Sequence, residues 1–160
     1  MEQILVRKCK YEAMEKTLEL CETTKREEIS EQIQRAKEFG DLSENAEYSA
    51  AKDAQNENET AIAKLRETLK VIGIIDPKKV KTSAVGLGTV VTIIDEEFGD
   101  EDTYTILSSL EANSDNNIIS ILSPLGSSLL GHKVGESITV KTPGGKFIAK
   151  IKAISKCNNL

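Results

Sequence analysis

The stretch FGDLSENAEYSAAK, residues 39–52, lies between two long runs in which apolar or small residues recur at steps of three and four. This spacing is typical of amphipathic helices that pack on one partner. The first series is Tyr11, Met14, Leu18, Cys21, Ile29, Ile33 and Ala36, and the second is Ala51, Ala54, Asn58, Ala61, Leu65, Leu69 and Ile72. Two helices joined by so short a connection must be antiparallel neighbours, so we expect a helical hairpin with a coiled-coil seam.

Both series have visible breaks. The first loses its phase at Lys25, so its seam is imperfect. The second ends at Gly73 and the following DPKK sequence, because glycine and proline stop helices. We therefore place the hairpin in an N-terminal domain, residues 1–76.

After Pro77 the sequence becomes rich in short β-branched segments, several of which alternate as strands do. The segments are TVVTIID (89–95), TYTILS (103–108), NIISIL (117–122), SITVKT (137–142) and KFIAKIKAI (146–154). SPLGSSLLGHK interrupts this pattern and favours one short helix before Gly131. We predict a second domain, residues 77–160, with an antiparallel sheet and one helix. The fold class is then α+β.

Composition narrows the classes of function. The net charge of −5 argues against free-standing binding to duplex DNA, since counterion release rewards a basic face. Three cysteines without CxxC spacing indicate neither a disulfide framework nor a zinc site. Charges flank the first short apolar run, which does not fit a secretory signal, and no apolar stretch reaches the length of a membrane span. We expect a cytoplasmic protein with no membrane partner.

Asp41 and Glu44 stand three residues apart between the two helices, and their spacing fits two roles. One role is structural: Asp41 as the N-cap of the second helix, Glu44 as its capping-box acid, and Gly40 as the end of the first helix. The other is chemical, because Mg²⁺ commonly takes one or two protein carboxylates and completes its shell with water and phosphate. The spacing alone does not decide between them.

Cations flank these acids. Arg35 and Lys37 precede them on one helix and Lys52 follows on the other. Acids that hold a metal beside bases that hold a backbone would suit a phosphate chain. Equally, lysine and arginine on exposed helix faces serve solubility.

The sequence EFGDLSENAEYSAAKDAQ, residues 38–55, closely resembles the tip motif of bacterial transcript cleavage factors of the GreA/GreB family. Residues 118–151 resemble the family's C-terminal signature, and the residues around VIGIIDPKKV resemble its linker. The resemblance therefore covers nearly the whole chain. Helices of ordinary length and the absence of a strongly basic character favour the GreA branch.

The resemblance implies an N-terminal antiparallel coiled coil followed by a domain similar to FKBP-type prolyl isomerases. It also implies that the chain acts in the secondary channel of bacterial RNA polymerase, where it stimulates hydrolysis of the 3′ segment of backtracked RNA. Asp41 and Glu44 match the family's acidic pair and would bind a Mg²⁺ shared with the polymerase, with none held stably by the free protein. The chain would not be an enzyme on its own, and we expect a monomer.

Further residues match the motif. Lys37 and Lys52 fall at basic positions that would contact the nascent RNA 3′ segment, together with Arg35. Ser43 is also an alternative N-cap. The residues expected to support the tip are Gly40, Ser43, Asn45 and Tyr48.

Two positions depart from the family pattern. Thr60-Ala61-Ile62 stands where the family often has Gly-Arg-Ile, and Ser128 occupies a position that is often basic. Both changes reduce the positive charge available for contacts with RNA or polymerase.

Three other classes of function compete with this interpretation. A regulator that binds the same channel without cleaving RNA would be expected to alter the tip acids, which are intact here. A prolyl isomerase would need an apolar, aromatic-lined pocket, and the C-terminal half offers only Phe98, Tyr104 and Phe147. A purely structural coiled coil would not explain so specific a motif.

Overall fold

A computed structural model describes residues 3–41 and 43–160. The chain forms two compact units, Tyr11–Ile72 and residues 3–10 together with Gly73–Leu160. The predicted boundary between residues 76 and 77 differs in that it places residues 3–10 in the helical domain. Strand β1 (Ile4–Val6) explains the difference, because it pairs with β2 (Ile72–Ile74) and the Val6 carbonyl accepts a hydrogen bond from the Ile75 N–H at 2.8 Å.

The first half of the chain is helical, as predicted. Its elements are α1 (Lys8–Leu20), a π-helical turn (Cys21–Lys25), α2 (Arg26–Lys37) and α3 (Ala46–Val71). Arg26 pairs with Glu59 through two hydrogen bonds of 2.7 Å, and the Arg66 Nε donates to Glu22 at 2.8 Å. From residue 22 to residue 26 on the first side of the hairpin, the paired residue on α3 moves back from 66 to 59. The two sides of the hairpin are therefore antiparallel.

A narrow seam joins the two sides of this hairpin. Its buried residues are Cys21, Ile29, Ala36, Ala51, Asn58 and Ile62. Most of them belong to the series seen in the sequence. Ile62 is the exception, because it is buried in place of its neighbour Ala61, which is half-buried. The seam is thin because several of its side chains are small.

The π-helical turn accounts for the break in phase at Lys25. A regular α-helix turns by about 100° per residue, so the eight steps from Cys21 to Ile29 would leave these side chains roughly 80° apart. A π turn takes up one extra residue, which reduces the offset to about 20°. Both side chains can then face α3.

Asn58 of α3 lies opposite this turn and is only 1% exposed. Its Nδ2 donates to the Cys21 carbonyl at 2.9 Å, while its Oδ1 has no hydrogen-bond partner in the described part of the chain. A buried asparagine in a coiled-coil seam fixes register at a cost in stability. A side chain that bonds to a helix carbonyl is also a recognised cause of local helix irregularity. Asn58 thus ties α3 to the first residue of the π turn.

The second unit contains a five-stranded sheet of order β5-β4-β3-β7-β6 and one short helix. The elements are β3 (Thr89–Asp95), β4 (Glu101–Leu107), β5 (Ile118–Ser120), α4 (Pro124–Leu129), β6 (Ser137–Thr142) and β7 (Gly145–Lys156). All five predicted strands and the helix are present, and the α+β class is confirmed.

The sheet is mixed rather than wholly antiparallel, which corrects the prediction. β5 runs parallel to β4, with Thr105 opposite Ile118, whereas every other described pairing in this sheet is antiparallel. After β4 the chain passes through a 3₁₀ turn (Ser114–Asn116), and Asn117 adopts a left-handed conformation with φ of 51°. This connecting segment returns the chain to a position beside Thr105 of β4. β5 therefore runs in the same direction as β4, and the two strands do not form a hairpin.

The core lies between the sheet and α4. Alternate residues of the strands face inward, with Val85 and Leu129 completing the set: Val91, Ile93, Ile106, Ile138, Val140, Ala149 and Ile151 are all buried. A Cβ at Gly126 would lie 2.1 Å from the Ser120 carbonyl oxygen. Only glycine therefore allows α4 to pack this closely.

The short strand β1 is followed by a charged contact that the sequence did not reveal. The Arg7 N–H and Nε donate to Glu111 at 3.0 and 2.8 Å, and the Glu111 side chain is 1% exposed. This hydrogen bond to Glu111 raises the pKa of Arg7.

None of the helices described is both long and apolar enough to cross a bilayer.

Candidate functional site

The connection between α2 and α3, residues 38–45, is called the tip. α2 ends at Lys37, and the Phe39 N–H still donates to the Ala36 carbonyl at 3.2 Å. Gly40 follows with φ of +110°, a conformation that residues with a Cβ rarely adopt. The space beside it is open, so the need for glycine is conformational. Gly40 thus lies just beyond the end of α2, and the chain leaves the helix there, as predicted.

Asn45 holds both helices of the tip. Its Oδ1 accepts the Tyr48 N–H at 3.0 Å, which makes it the N-cap of α3, and its Nδ2 donates to the Ala36 carbonyl at 2.6 Å. A side-chain amide carries a donor and an acceptor on two separate atoms, so it can bond to two backbone groups at once. Asn45 is therefore both the start of α3 and a clamp onto the end of α2.

The position of this cap tests the structural role of the acids. Because α3 begins at Ala46, Asp41, Ser43 and Glu44 all precede its N-cap. The capping interpretation of these three residues is wrong. Asp41 and Glu44 lie in the connecting loop and do not cap the N-terminal N–H groups of α3.

Asp41 and Glu44 lie exposed beside one shallow groove of about 390 Å³. The Ser43 N–H donates to Asp41 Oδ1 at 3.0 Å, and this bond, with help from the Ser43 hydroxyl, lowers the pKa of the Asp41 carboxyl. In residues 3–41 and 43–160 nothing donates a hydrogen bond to the Glu44 carboxylate. Phe39 and Glu47 border the same groove. The structure thus places two exposed carboxylates beside the same groove.

Two carboxylates do not make a complete metal site. No group of three or more His, Cys, Asp or Glu side chains that could hold a metal ion is found among the described residues. Carboxylate oxygens are the kind of ligand that Mg²⁺ prefers, and their small number here fits an ion whose other ligands come from elsewhere.

The predicted cations are exposed or half-buried, and two of them make surface contacts. Arg35 pairs with Glu31 at 3.2 Å, and the Lys52 Nζ donates to Gln55 at 2.7 Å. Arg35 borders a second groove of about 380 Å³, whereas neither Lys37 nor Lys52 lines either groove at the tip. Their RNA contacts stay a prediction.

Tyr48 is half-buried, and its N–H is the one that Asn45 caps. The sequence reasoning missed two residues that border the acids, Phe39 and Glu47. Phe39 was part of the quoted motif, but a sequence cannot distinguish an exposed phenylalanine from a buried one in a turn. Its environment emerged only from the structure.

The remaining sequence features have local explanations. Ile62 is buried in the hairpin seam, and the Ser128 hydroxyl donates to the Pro124 carbonyl of its own helix at 2.7 Å. Tyr104 and Phe147 pack against the core of the second unit, while Phe98 is 73% exposed. Two of the three aromatic side chains thus contribute to the core.

Two family models together match most of the chain. The family model described as "Transcription elongation factor, N-terminal" matches residues 4–74, and "Transcription elongation factor, GreA/GreB, C-term" matches residues 80–156. The chain belongs to the GreA/GreB family of transcription elongation factors. The family prediction from the tip motif is confirmed.

Relatives in the GreA/GreB family match over most of both chains. Transcription elongation factor GreA of Geobacillus kaustophilus is 46% identical over 143 residues, or 89% of this chain and 90% of that protein. The Bacillus subtilis GreA is 44% identical over 142 residues, with coverage of 89% and 90%. The crystal structure of GreA factor homolog 1 (Gfh1) of Thermus thermophilus is 29% identical, covers 96% of this chain and 99% of its own, and gives a TM-score of 0.43.

Proposed function

We propose that this chain binds bacterial RNA polymerase, reaches its active centre through the secondary channel, and stimulates Mg²⁺-dependent hydrolysis of the 3′ segment of backtracked RNA. Arrested transcription complexes would thereby resume elongation. The observation that carries the proposal is the pair of exposed tip carboxylates, Asp41 and Glu44, which lie outside the cap of α3. Exposed acids with no capping role at a helical turn are available to a metal ion.

Asp41 and Glu44 are the residues that would hold the ion, jointly with metal-binding aspartates of the polymerase. When bound, a second Mg²⁺ would activate a water and stabilise charge on the scissile phosphate. The lowered pKa of Asp41 keeps this carboxylate ionised and ready to bind a cation. The free protein is proposed to bind no metal stably, because two carboxylates leave most of the magnesium shell to water.

Other tip residues would position these acids. Asn45 clamps the two helices, Gly40 allows the chain to leave α2, and the Ser43 N–H orients Asp41. Arg35 and Lys37, with Lys52 further along α3, would contact the RNA backbone. Such contacts are electrostatic and would weaken as salt is raised.

Catalysis in this proposal belongs to the assembly, so the isolated chain would not be an enzyme. The chain would act as a monomer in the cytoplasm, one copy per polymerase. A regulator that occupies the channel without cleaving RNA is the alternative, and the intact acid pair disfavours it.

The test is a transcript cleavage assay on a stalled, backtracked elongation complex of bacterial RNA polymerase with labelled RNA and Mg²⁺. Asp41→Asn and Glu44→Gln preserve size, and the asparagine oxygen can still accept from the Ser43 N–H. We expect each to lower the cleavage rate by about a hundredfold or more, as loss of a charge-stabilising group does, with polymerase affinity unchanged.

Glu38→Gln is the matched control, because Glu38 is exposed at the tip but does not border the groove of the acids. Normal cleavage by both acid variants would remove the metal-binding role. If the wild-type chain binds the complex yet releases no RNA fragment, the non-cleaving regulator becomes the better description.

A further inference from the structure

Phe39 is a large apolar side chain at the tip, and 74% of its surface is exposed. Its N–H is bonded to the end of α2, and Gly40 follows at once, so the backbone holds the residue between a helix and a turn. Packing within the hairpin therefore gives little reason for an aromatic ring here.

The position of the ring is more informative than its exposure. Phe39 borders the groove that contains Asp41 and Glu44, and it also borders the second groove, which contains Arg35. Phe39 thus shares one groove with the two carboxylates and another with a cation. A cation can bind a nucleotide's phosphate, and an aromatic ring can stack on its base. The carboxylates can hold a metal ion that is bound to the phosphate.

The net negative charge of the tip and its neighbouring residues favours an uncharged contact for binding RNA. Residues 35–47 carry four acids, at 38, 41, 44 and 47, against two cations, at 35 and 37. Excess acid attracts metal ions but repels the RNA backbone. An aromatic face binds a base by stacking, which this repulsion does not oppose and which tolerates any of the four bases.

We propose that Phe39 is a stacking platform for an unpaired base in the RNA 3′ segment, next to the phosphate that is cleaved. The inference rests on the proposed function, since it needs RNA at the tip. Phe39 would hold the nucleotide while Asp41 and Glu44 serve the metal. It is a binding and positioning residue, distinct from the acids.

The test compares wild type with Phe39→Leu and Phe39→Tyr in the backtracked complex. Leucine keeps an apolar side chain without an aromatic face, and tyrosine keeps the face. Phe98→Leu is the matched control, because Phe98 is 73% exposed in the other unit. We expect Phe39→Leu to slow cleavage about tenfold, in line with the loss of one base–aromatic stack, while Phe39→Tyr and Phe98→Leu cleave normally.

A double-mutant cycle separates stacking from other roles. The same proteins are assayed on RNA whose extruded 3′ nucleotides are normal or abasic. If Phe39 stacks on a base, removing the ring and removing the bases have overlapping effects, and Phe39→Leu causes no further loss on abasic RNA. If the two losses multiply, Phe39 acts elsewhere, such as on the polymerase protein, and the proposal is overturned. Normal cleavage by Phe39→Leu overturns it as well.

A second readout does not depend on cleavage. RNA with 2-aminopurine at its 3′ end reports stacking through quenched fluorescence when the factor binds. Quenching by wild type that is lost in Phe39→Leu supports stacking even if no RNA is released, a result that would refute only the cleavage function. Equal quenching by both proteins would refute the stacking platform while leaving the acid pair untouched.

Discussion

Replacing Asn58 by aspartate would place a carboxyl group of nearly the same shape in the hairpin seam. The Asn58 Nδ2 donates to the Cys21 carbonyl at 2.9 Å, and the residue is 1% exposed. An ionised carboxylate cannot donate, so it would face a carbonyl oxygen in a site that excludes water. The charged form is therefore disfavoured in the folded state, and the new carboxyl's pKa must rise on folding.

The size of the effect follows from that rise. A fully buried carboxyl is shifted upward by about 3 units, and each unit corresponds to about 1.36 kcal/mol. Asn58→Asp should therefore lower the free energy of unfolding by about 4 kcal/mol at pH 7. The unfolded state has the lower pKa, so the loss grows as pH rises from the unfolded value to the folded value. Near pH 4 most of it should disappear, because a protonated carboxyl can donate to the Cys21 carbonyl.

Urea unfolding followed by circular dichroism at pH 4 and pH 7 would measure this loss. Asn56→Asp is the matched control, because Asn56 is exposed two residues away on the same helix and the substitution adds the same charge. We expect the control to change stability by no more than about 0.5 kcal/mol. Equal losses for the two variants, or a loss for Asn58→Asp that is the same at both pH values, would refute the seam hydrogen bond.

Two further substitutions test the clamp at the tip and the buried ion pair. Asn45→Ala should destabilise the hairpin by about 1–2 kcal/mol through loss of the N-cap, and hydrogen exchange should show faster exchange of the Tyr48 amide; unchanged protection there would refute the cap. Glu111→Gln should lower the free energy of unfolding by about 2 kcal/mol, since hydrogen bonds to a buried charge are strong. Glu101→Gln removes a charge from the exposed pair with Lys152 and should lower it by less than about 0.5 kcal/mol. Thermal unfolding of both variants would measure the two losses. Similar costs for the two glutamates would contradict the role of burial.

The sequence predicted the parts of the fold that depend on regular patterns. Steps of three and four marked the hairpin, and β-branched alternation marked all five strands of the larger sheet. β1 and β2 escaped notice because each has three residues, too few to show a period, and because their partners are far apart in the chain. The parallel β5 also escaped, since strand direction depends on the path of the connecting segment.

At the tip, the sequence predicted where the acids lie but left their role open. Asp41, Ser43 and Asn45 are all good N-cap types within five residues, so residue preference alone could not choose among them. The choice depends on which side chain reaches both helices, and only the Asn45 amide bonds to Ala36 and Tyr48 together. That contact is tertiary, which is why the freedom of the acids could be seen only in the structure.

The π-helical turn also bears on how this chain tolerates changes in length. Between Cys21 and Ile29 every residue is polar, and the turn already accommodates one residue more than an α-helix needs. Deleting one residue from this stretch would restore a regular helix while Ile29 and Ala36 stay in the seam. Deletion of one residue elsewhere in α2 would rotate the rest of the helix by about 100° and change the direction in which the tip carboxylates point. The hairpin therefore has one built-in site at which a residue can be lost without turning the tip.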